Sequence, residues 1–472
     1  MIITVADGKT FEAEVPVAVI GGGACGLVAA LTLADAGIAA LVLERDATPS
    51  GSTGLSSGMI PACGTIMQRE QGVEDNAEML IQDIQAKAKG QANDQVVRAV
   101  ATASGPTVEW LAAEHDVELT LVGGFLYPGF SALRMHAPPS RQGADLMASL
   151  LRATEAAGID IMTNATVTDL IAEADGRVAG LVVQRPDGKR EEIGCQAMIL
   201  ACNGYGGNKA MVCEHIPEMA SAEYFGHPGN QGDAVNWGQD LGAEIGHMTA
   251  YQGHGSVATP HGILITWALM MNGGIQINTL GQRFSNEHRG YSEQAVDVLA
   301  QPDRLAWLIF DDRLLDLGHE FEEFKAAEVA GALRHGANLA ALAQTIAVPP
   351  AALRQTLAET EAYAGGTAHD PFGRDFTTQP ALRAPYHAIK VTGALFHTQG
   401  GLAIDAGARV LRPDGSALPN LFAGGGAACG VSGSQVWGYL SGNGLLTAVN
   451  LGRLAGQSAA AHINNAKNGS TA

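Results

Sequence analysis

Positive charge is scarce in this chain: 28 Lys and Arg stand against 48 Asp and Glu in 472 residues, a net charge of -20. A field of that sign repels phosphate backbones and anionic lipid surfaces, so neither nucleic acid nor membrane insertion is expected. The six cysteines (Cys25, Cys63, Cys195, Cys202, Cys213, Cys429) form no C-x-x-C pair and no paired Cys/His spacing. That argues against a disulfide framework and against a bound metal, and makes reduced thiols in a cytoplasmic setting the expectation. No apolar run approaches the roughly 20 residues of a membrane helix. The N-terminal MIITVADGKTFEAEV carries acids and no basic region ahead of an apolar core, so it does not read as a signal peptide. Glycine, by contrast, is plentiful at 60 residues in a chain that is 46% hydrophobic. This combination points to a globular α/β protein with many tight turns, long enough for two or three compact units.

VPVAVIGGGACGLVAALTLADAGIAALVLERD is the clearest local signal. An apolar strand runs into Gly21, Gly23, Ala24, Cys25 and Gly26, and a helix rich in Ala and Leu follows. G-x-G-x-x-G permits a tight turn, close backbone approach to a pyrophosphate, and close helix–strand packing. A second strand ends at Glu44, where an acid is expected to receive ribose hydroxyls, with Arg45 beside it. The next stretch, PSGSTGLSSGMIPACGT, offers Ser52, Thr53, Ser57 and Gly58 as small and hydroxyl groups to lie along a pyrophosphate and a flavin ring. An NAD domain would continue there with another strand and helix, so FAD is the expected cofactor. No histidine for covalent attachment lies in this loop, and non-covalent binding is expected. Residues 161–208 read as a β-meander with polar turns, and the C-terminal LPNLFAGGG…LSGNGLLTAVNLGRLAG as strand, glycine loop and helix starting near Gly444. That start would place its positive end toward the flavin pyrimidine.

Together with ACNGYGGN, GNQGDAVNWGQDLGAE, GQRFSNE, HTQGGLAID and LGRLAG, these motifs resemble the fumarate reductase / 3-ketosteroid dehydrogenase flavoprotein superfamily over nearly the whole length. The resemblance implies an α/β fold: a Rossmann-like FAD-binding domain (1–254 and 386–472) interrupted by an α+β capping domain (255–385), read as a small helical unit over a few strands. It adds Val167, Asn203, Gly204, Asp233, Gly425, Gly444, Leu445 and Leu446 to the cofactor residues. Where the family often has an acid after the last flavin strand, this chain has Gly426, and that contact is not carried over.

RFSNEHRGYSEQ, residues 283–294, sets two chemistries against each other. If it is extended, Arg289 and Tyr291 share a face. In fumarate-reducing members the catalytic arginine falls at the position of Tyr291, and a second, carboxylate-binding arginine at Tyr439. A dicarboxylate needs fixed cationic partners, so two tyrosines there disfavour fumarate reduction. The 3-ketosteroid dehydrogenases carry tyrosine at both positions. Those acting on 5α-steroids also match Tyr439-Leu440-Ser441-Gly442, which implies that Ser441 takes the proton and relays it through Tyr439 and Tyr291. Such a dehydrogenation moves a hydride to flavin N5 and the α-proton to the relay. Because a tyrosine titrates near ~10, the relay must end in water or work through a lowered pKa. Backbone N–H groups around Gly442 to Gly444 are natural oxyanion donors. Asn443, His397 and Tyr127 complete the substrate candidates. Arg289 is either a ligand for a substrate carboxylate or an ion pair with Glu287 or Glu293, the latter favoured. The expected activity is therefore desaturation of a cyclic ketone, either a small oxocyclohexane carboxylate-like ring or a 3-ketosteroid. Two alternatives are an alkene reductase using Arg289 as acid and a flavin-binding subunit of an electron-transfer assembly. With no haem or iron–sulfur cysteine pattern, electrons are expected to leave to oxygen, a quinone or a carrier.

Overall fold

The strand Ala13–Ile20 and the helix Ala24–Asp35 frame the first unit in the computed structural model, which describes residues 2–5, 8–124 and 126–469. Val17, Ala18 and Val19 are fully buried, as a central strand covered on both faces requires. The strand runs parallel to both neighbours, with Val17 opposite Ala197 of Arg190–Leu200 and Val19 opposite Val42 of Ala40–Leu43. Asp160–Met162 and Ala417–Ala423 extend the parallel part. The meander Thr166–Ala172, Val178–Gln184 and Arg190–Leu200 is antiparallel and joins the sheet through its third strand.

Every residue of the helix from Ala24 to Leu33 is buried. It packs on the sheet and against the C-terminal helix Asn443–Gly469, which explains an apolar run with no polar face. Burial of Leu27 and Leu31 stabilises this layer by about 1.5–3 kcal/mol each. The third glycine of the fingerprint is a packing residue: a Cβ on Gly26 would lie 1.9 Å from the carbonyl oxygen of Gly21.

The second unit comprises Pro217–Phe225 and Gln252–Phe396. Its sheet has seven strands, more than the few expected. Ala306–Asp311 is buried throughout and pairs antiparallel with Ile275–Ile277 and with Tyr386–Thr398. Helices including Tyr291–Leu299, Glu322–Val329 and Pro350–Ala364 accompany it. A buried cluster joins Glu287 to Arg283 and Arg374, and Arg283 to Asp370. Burial raises the Glu287 pKa, but the guanidiniums of Arg374 and Arg283 outweigh it and hold the carboxyl at about 2.

The limits of the units differ from those drawn on the sequence. Positions 254 and 386 fall inside the strands Tyr251–Ala258 and Tyr386–Thr398, and the change of unit occurs at 251/252 and 396/397. Residues 217–225 leave the first unit because Glu223 and Tyr224 pair with Ala394 and Leu395. Among the described residues no helix is long and apolar enough to cross a membrane.

Candidate active site

The first unit holds a cleft at the carboxyl ends of its parallel strands, where open α/β sheets bind ligands. Gly21, Gly23, Ala24, Cys25, Glu44, Arg45, Ser52, Thr53, Val167, Asn203, Asp233 and Gly425, all expected from the sequence, line it. Ala24 donates its N–H to Thr53 Oγ1 at 3.2 Å, which ties the helix start to the following loop. Ser52 Oγ accepts from Asn203 Nδ2 at 3.0 Å and from Asn230 Nδ2 at 3.0 Å. Arg45 spans to Asp233 (3.0 Å) and the Gly229 carbonyl (2.7 Å), and so acts as a strut across the cleft wall.

Glu44 is buried and accepts the N–H of Gly22 at 2.8 Å and of Asp46 at 2.9 Å. It pairs with no cation among the described residues, so its remaining lone pairs suit a neutral diol. A glycine-walled helix start with a buried carboxylate at the next strand end fits an adenine dinucleotide. Glu44→Ala is expected to lower FAD affinity by roughly 1.5–3 kcal/mol, the worth of hydrogen bonds to a charged acceptor. Fluorescence titration of apoprotein with FAD measures this, and unchanged affinity removes Glu44 from the site.

Gly26, Ser57, Gly58, Gly204, Gly444, Leu445 and Leu446 lie outside the lining of this cleft. Gly204 leaves room for Thr398, and Leu446 belongs to the apolar core. The sequence reading missed Asn230, Cys202 and Trp237, which do line it. Asn230 stood inside the quoted GNQGD, and a polar residue between two turn glycines was its available signal.

A second group of candidates gathers where the C-terminal helix begins. Gly442 has φ +80, and a Cβ there would press on Pro61 at 2.6 Å, so the turn into the helix requires glycine. It carries Tyr439, Ser441 and Asn443, all buried. The N–H of Asn443 is committed to the Leu440 carbonyl at 3.0 Å, so it is not the oxyanion donor expected there. Ser441 is 5% exposed and its hydroxyl makes no hydrogen bond to a described residue. His397 meets Tyr439 edge to face, with ring centroids 5.6 Å apart at 75°. Burial pushes its pKa down to about 4, so at neutral pH the ring is uncharged. Tyr127 donates to Met59 Sδ at 3.2 Å, and its loop reaches the same region: a Cβ on Gly129 would touch Leu440 at 2.8 Å.

In the second unit the expected extended stretch is helical. Glu287–Arg289 is a 3-10 turn, Gly290 takes φ 139, and Tyr291 opens the helix that ends at Leu299. Arg289 and Tyr291 therefore do not share a strand face. Arg289 is half exposed and ion-pairs with Asp297, one helical stretch on. Glu287 is taken up by the buried arginine cluster.

Tyr291 stacks on His254, with centroids 4.5 Å apart and planes 15° apart. His254, which the sequence reading missed, is buried, and burial pushes its pKa down to about 3. Ser256 donates its hydroxyl hydrogen to the Ile265 carbonyl at 2.7 Å, so the 3.1 Å contact from Ser256 Oγ to His254 Nδ1 is accepted from the ring. His254 thus carries its proton on Nδ1 and presents Nε2 as an acceptor. A lone histidine in a strand gave no spacing signal.

The FAD binding domain family matches residues 16–445. The chain is 30% identical over 451 residues to a probable fumarate reductase of Shewanella frigidimarina, covering 94% of this chain and 75% of that protein. It is 26% identical to the 4-oxocyclohexanecarboxylate 2-dehydrogenase of Sinomonas cyclohexanicum, covering 87% of each. The crystal structure of 3-ketosteroid-delta4-(5alpha)-dehydrogenase from Rhodococcus jostii RHA1 superposes with a TM-score of 0.79 at 25% identity, covering 97% of this chain and 99% of that one.

Proposed function

We propose that this chain, which belongs to the FAD binding domain family and is an FAD-dependent oxidoreductase acting on CH–CH groups, desaturates a cyclic ketone to the α,β-unsaturated ketone. The observation that carries the reading is the cluster at the start of the C-terminal helix. A buried tyrosine, a buried serine hydroxyl with no described hydrogen bond and an uncharged histidine meet there. Bound FAD supplies the two-electron acceptor. Ser441 accepts the α-proton as its own hydroxyl hydrogen passes to Tyr439 and on to water. The positive end of the helix dipole favours charge building on the ketone oxygen. A ring of the oxocyclohexane size or a 3-ketosteroid fits this chemistry, as the two dehydrogenase relatives do, and an external acceptor re-oxidises the protein.

The Shewanella relative favours a second reading, reduction of a carboxylated alkene. Arg289, the cation that reading relied on, is paired with Asp297 on an exposed face. Arg289→Gln is therefore expected to leave kcat and KM for the ketone near wild type. A large loss of kcat in that variant would return the acid's role to the arginine. Steady-state turnover of a ketone panel with an artificial acceptor, with the enone identified as product, tests the main reading. Turnover confined to carboxylated alkenes with a reduced donor would replace it with the second.

A further inference from the structure

Behind His397 runs a chain of buried amides and hydroxyls whose direction is set at its far end. Asn443 is fully buried, its Nδ2 donates to Ser432 Oγ at 2.9 Å, and its Oδ1 has no partner. Turning that amide over would strand an N–H₂ group instead, and buried orphan N–H groups are rarer than under-used carbonyls. Having accepted from Asn443, the Ser432 hydroxyl sends its hydrogen to Gln399 Oε1 at 2.8 Å. Gln399 then turns Nε2 toward His397 Nδ1 at 3.0 Å. An amide nitrogen only donates, so Nδ1 is a lone pair and the ring proton sits on Nε2. The Thr398 carbonyl, 3.3 Å from the same Nδ1, competes for a proton there at longer range. Gln399 is buried and held at both backbone ends, its N–H to Ala250 (2.8 Å) and its carbonyl from the N–H of Gly430 (2.9 Å).

We propose that Gln399 is a positioning residue that, through Ser432 and Asn443, fixes His397 as the neutral tautomer protonated on Nε2, a hydrogen-bond donor to oxygen and not a proton acceptor. The donating nitrogen stands over the start of the C-terminal helix: a Cβ on Gly444 would lie 2.7 Å from Nε2. There a neutral imidazole N–H can stabilise an oxygen that gathers negative charge, without a proton changing hands. This catalytic half rests on the ketone reading, whereas the tautomer does not.

The test is nitrogen NMR of the FAD-loaded protein labelled with ¹⁵N-histidine, with His397→Gln used to assign the resonance. Wild type is expected to carry the proton on Nε2. Gln399→Glu replaces a donor by a group that only accepts, and is expected to move the proton to Nδ1. The same variant should lower kcat on the ketone by on the order of 10²-fold with little change in KM, the loss of one oxyanion donor. Gln399→Met removes the selection and should show both tautomers. Should Gln399→Glu fail to hold FAD, the wild-type and Gln399→Met spectra decide. A proton on Nδ1 in wild type, or an unmoved proton in Gln399→Glu, overturns the proposal. If the tautomer shifts as expected and no ketone is turned over, the ketone reading fails and the positioning role stands.

Discussion

Tyr439→Phe is expected to keep FAD, fold and ketone binding and to lower kcat by about 10²–10⁴-fold, the usual worth of a general acid–base group. The ring is buried and packs edge-on against His397, contacts that phenylalanine preserves, so the hydroxyl is what is lost. Tyr291→Phe also keeps its stacking on His254 and is expected to lower kcat without loss of FAD. Stopped-flow rates of flavin reduction over a range of ketone concentrations separate kcat from KM. A near-normal Tyr439→Phe would remove its hydroxyl from the proton transfer.

Acid is expected to destabilise the protein well before its carboxylates protonate. Burial pushes His136, His288 and His397 down to about 4 and His254 down to about 3, with Arg374 adding to the effect at His288. In the unfolded chain each titrates near ~6.5. As the pH falls below that value the unfolded state takes up protons that the folded state refuses, so stability is lost from about pH 6.5 downward. Each such histidine adds a slope of up to about 1.4 kcal/mol per pH unit. Glu287, held at about 2, adds its own loss only as the pH falls through the ordinary carboxylate range toward 2, where the unfolded chain takes up a proton that the folded carboxyl refuses. Melting curves at pH 7 and pH 5 should differ by several degrees or more, and equal midpoints would contradict the buried neutral state of these rings.

The dinucleotide half of the molecule was legible because its glycines encode backbone geometry. Gly26 is fixed by a 1.9 Å approach to the Gly21 carbonyl, and such constraints leave a spacing that can be read. Glu44 followed from the end of the second strand, and the start of the last helix from its glycine loop. Trp237 was not legible, since a distant helix brings it to the cleft and nothing local marks it, whereas Asn230 left only the faint mark of a polar residue between two turn glycines. The stretch around Tyr291 misled for a local reason. Gly290 at φ 139 lets the chain turn from a 3-10 turn into a helix, which places Arg289 against Asp297 and Tyr291 against His254. The unit limits were missed because two long strands run across them, and sequence composition does not change within a strand.

The most direct measurement is anaerobic mixing of the oxidised holoprotein with saturated cyclic ketones, from oxocyclohexane carboxylates to 3-ketosteroids, while the flavin absorbance is followed. Desaturation predicts that at least one of these ketones bleaches the flavin and that the matching enone is recovered. A flavin that no ketone bleaches, and that after chemical reduction is re-oxidised by fumarate-like acids, would contradict it.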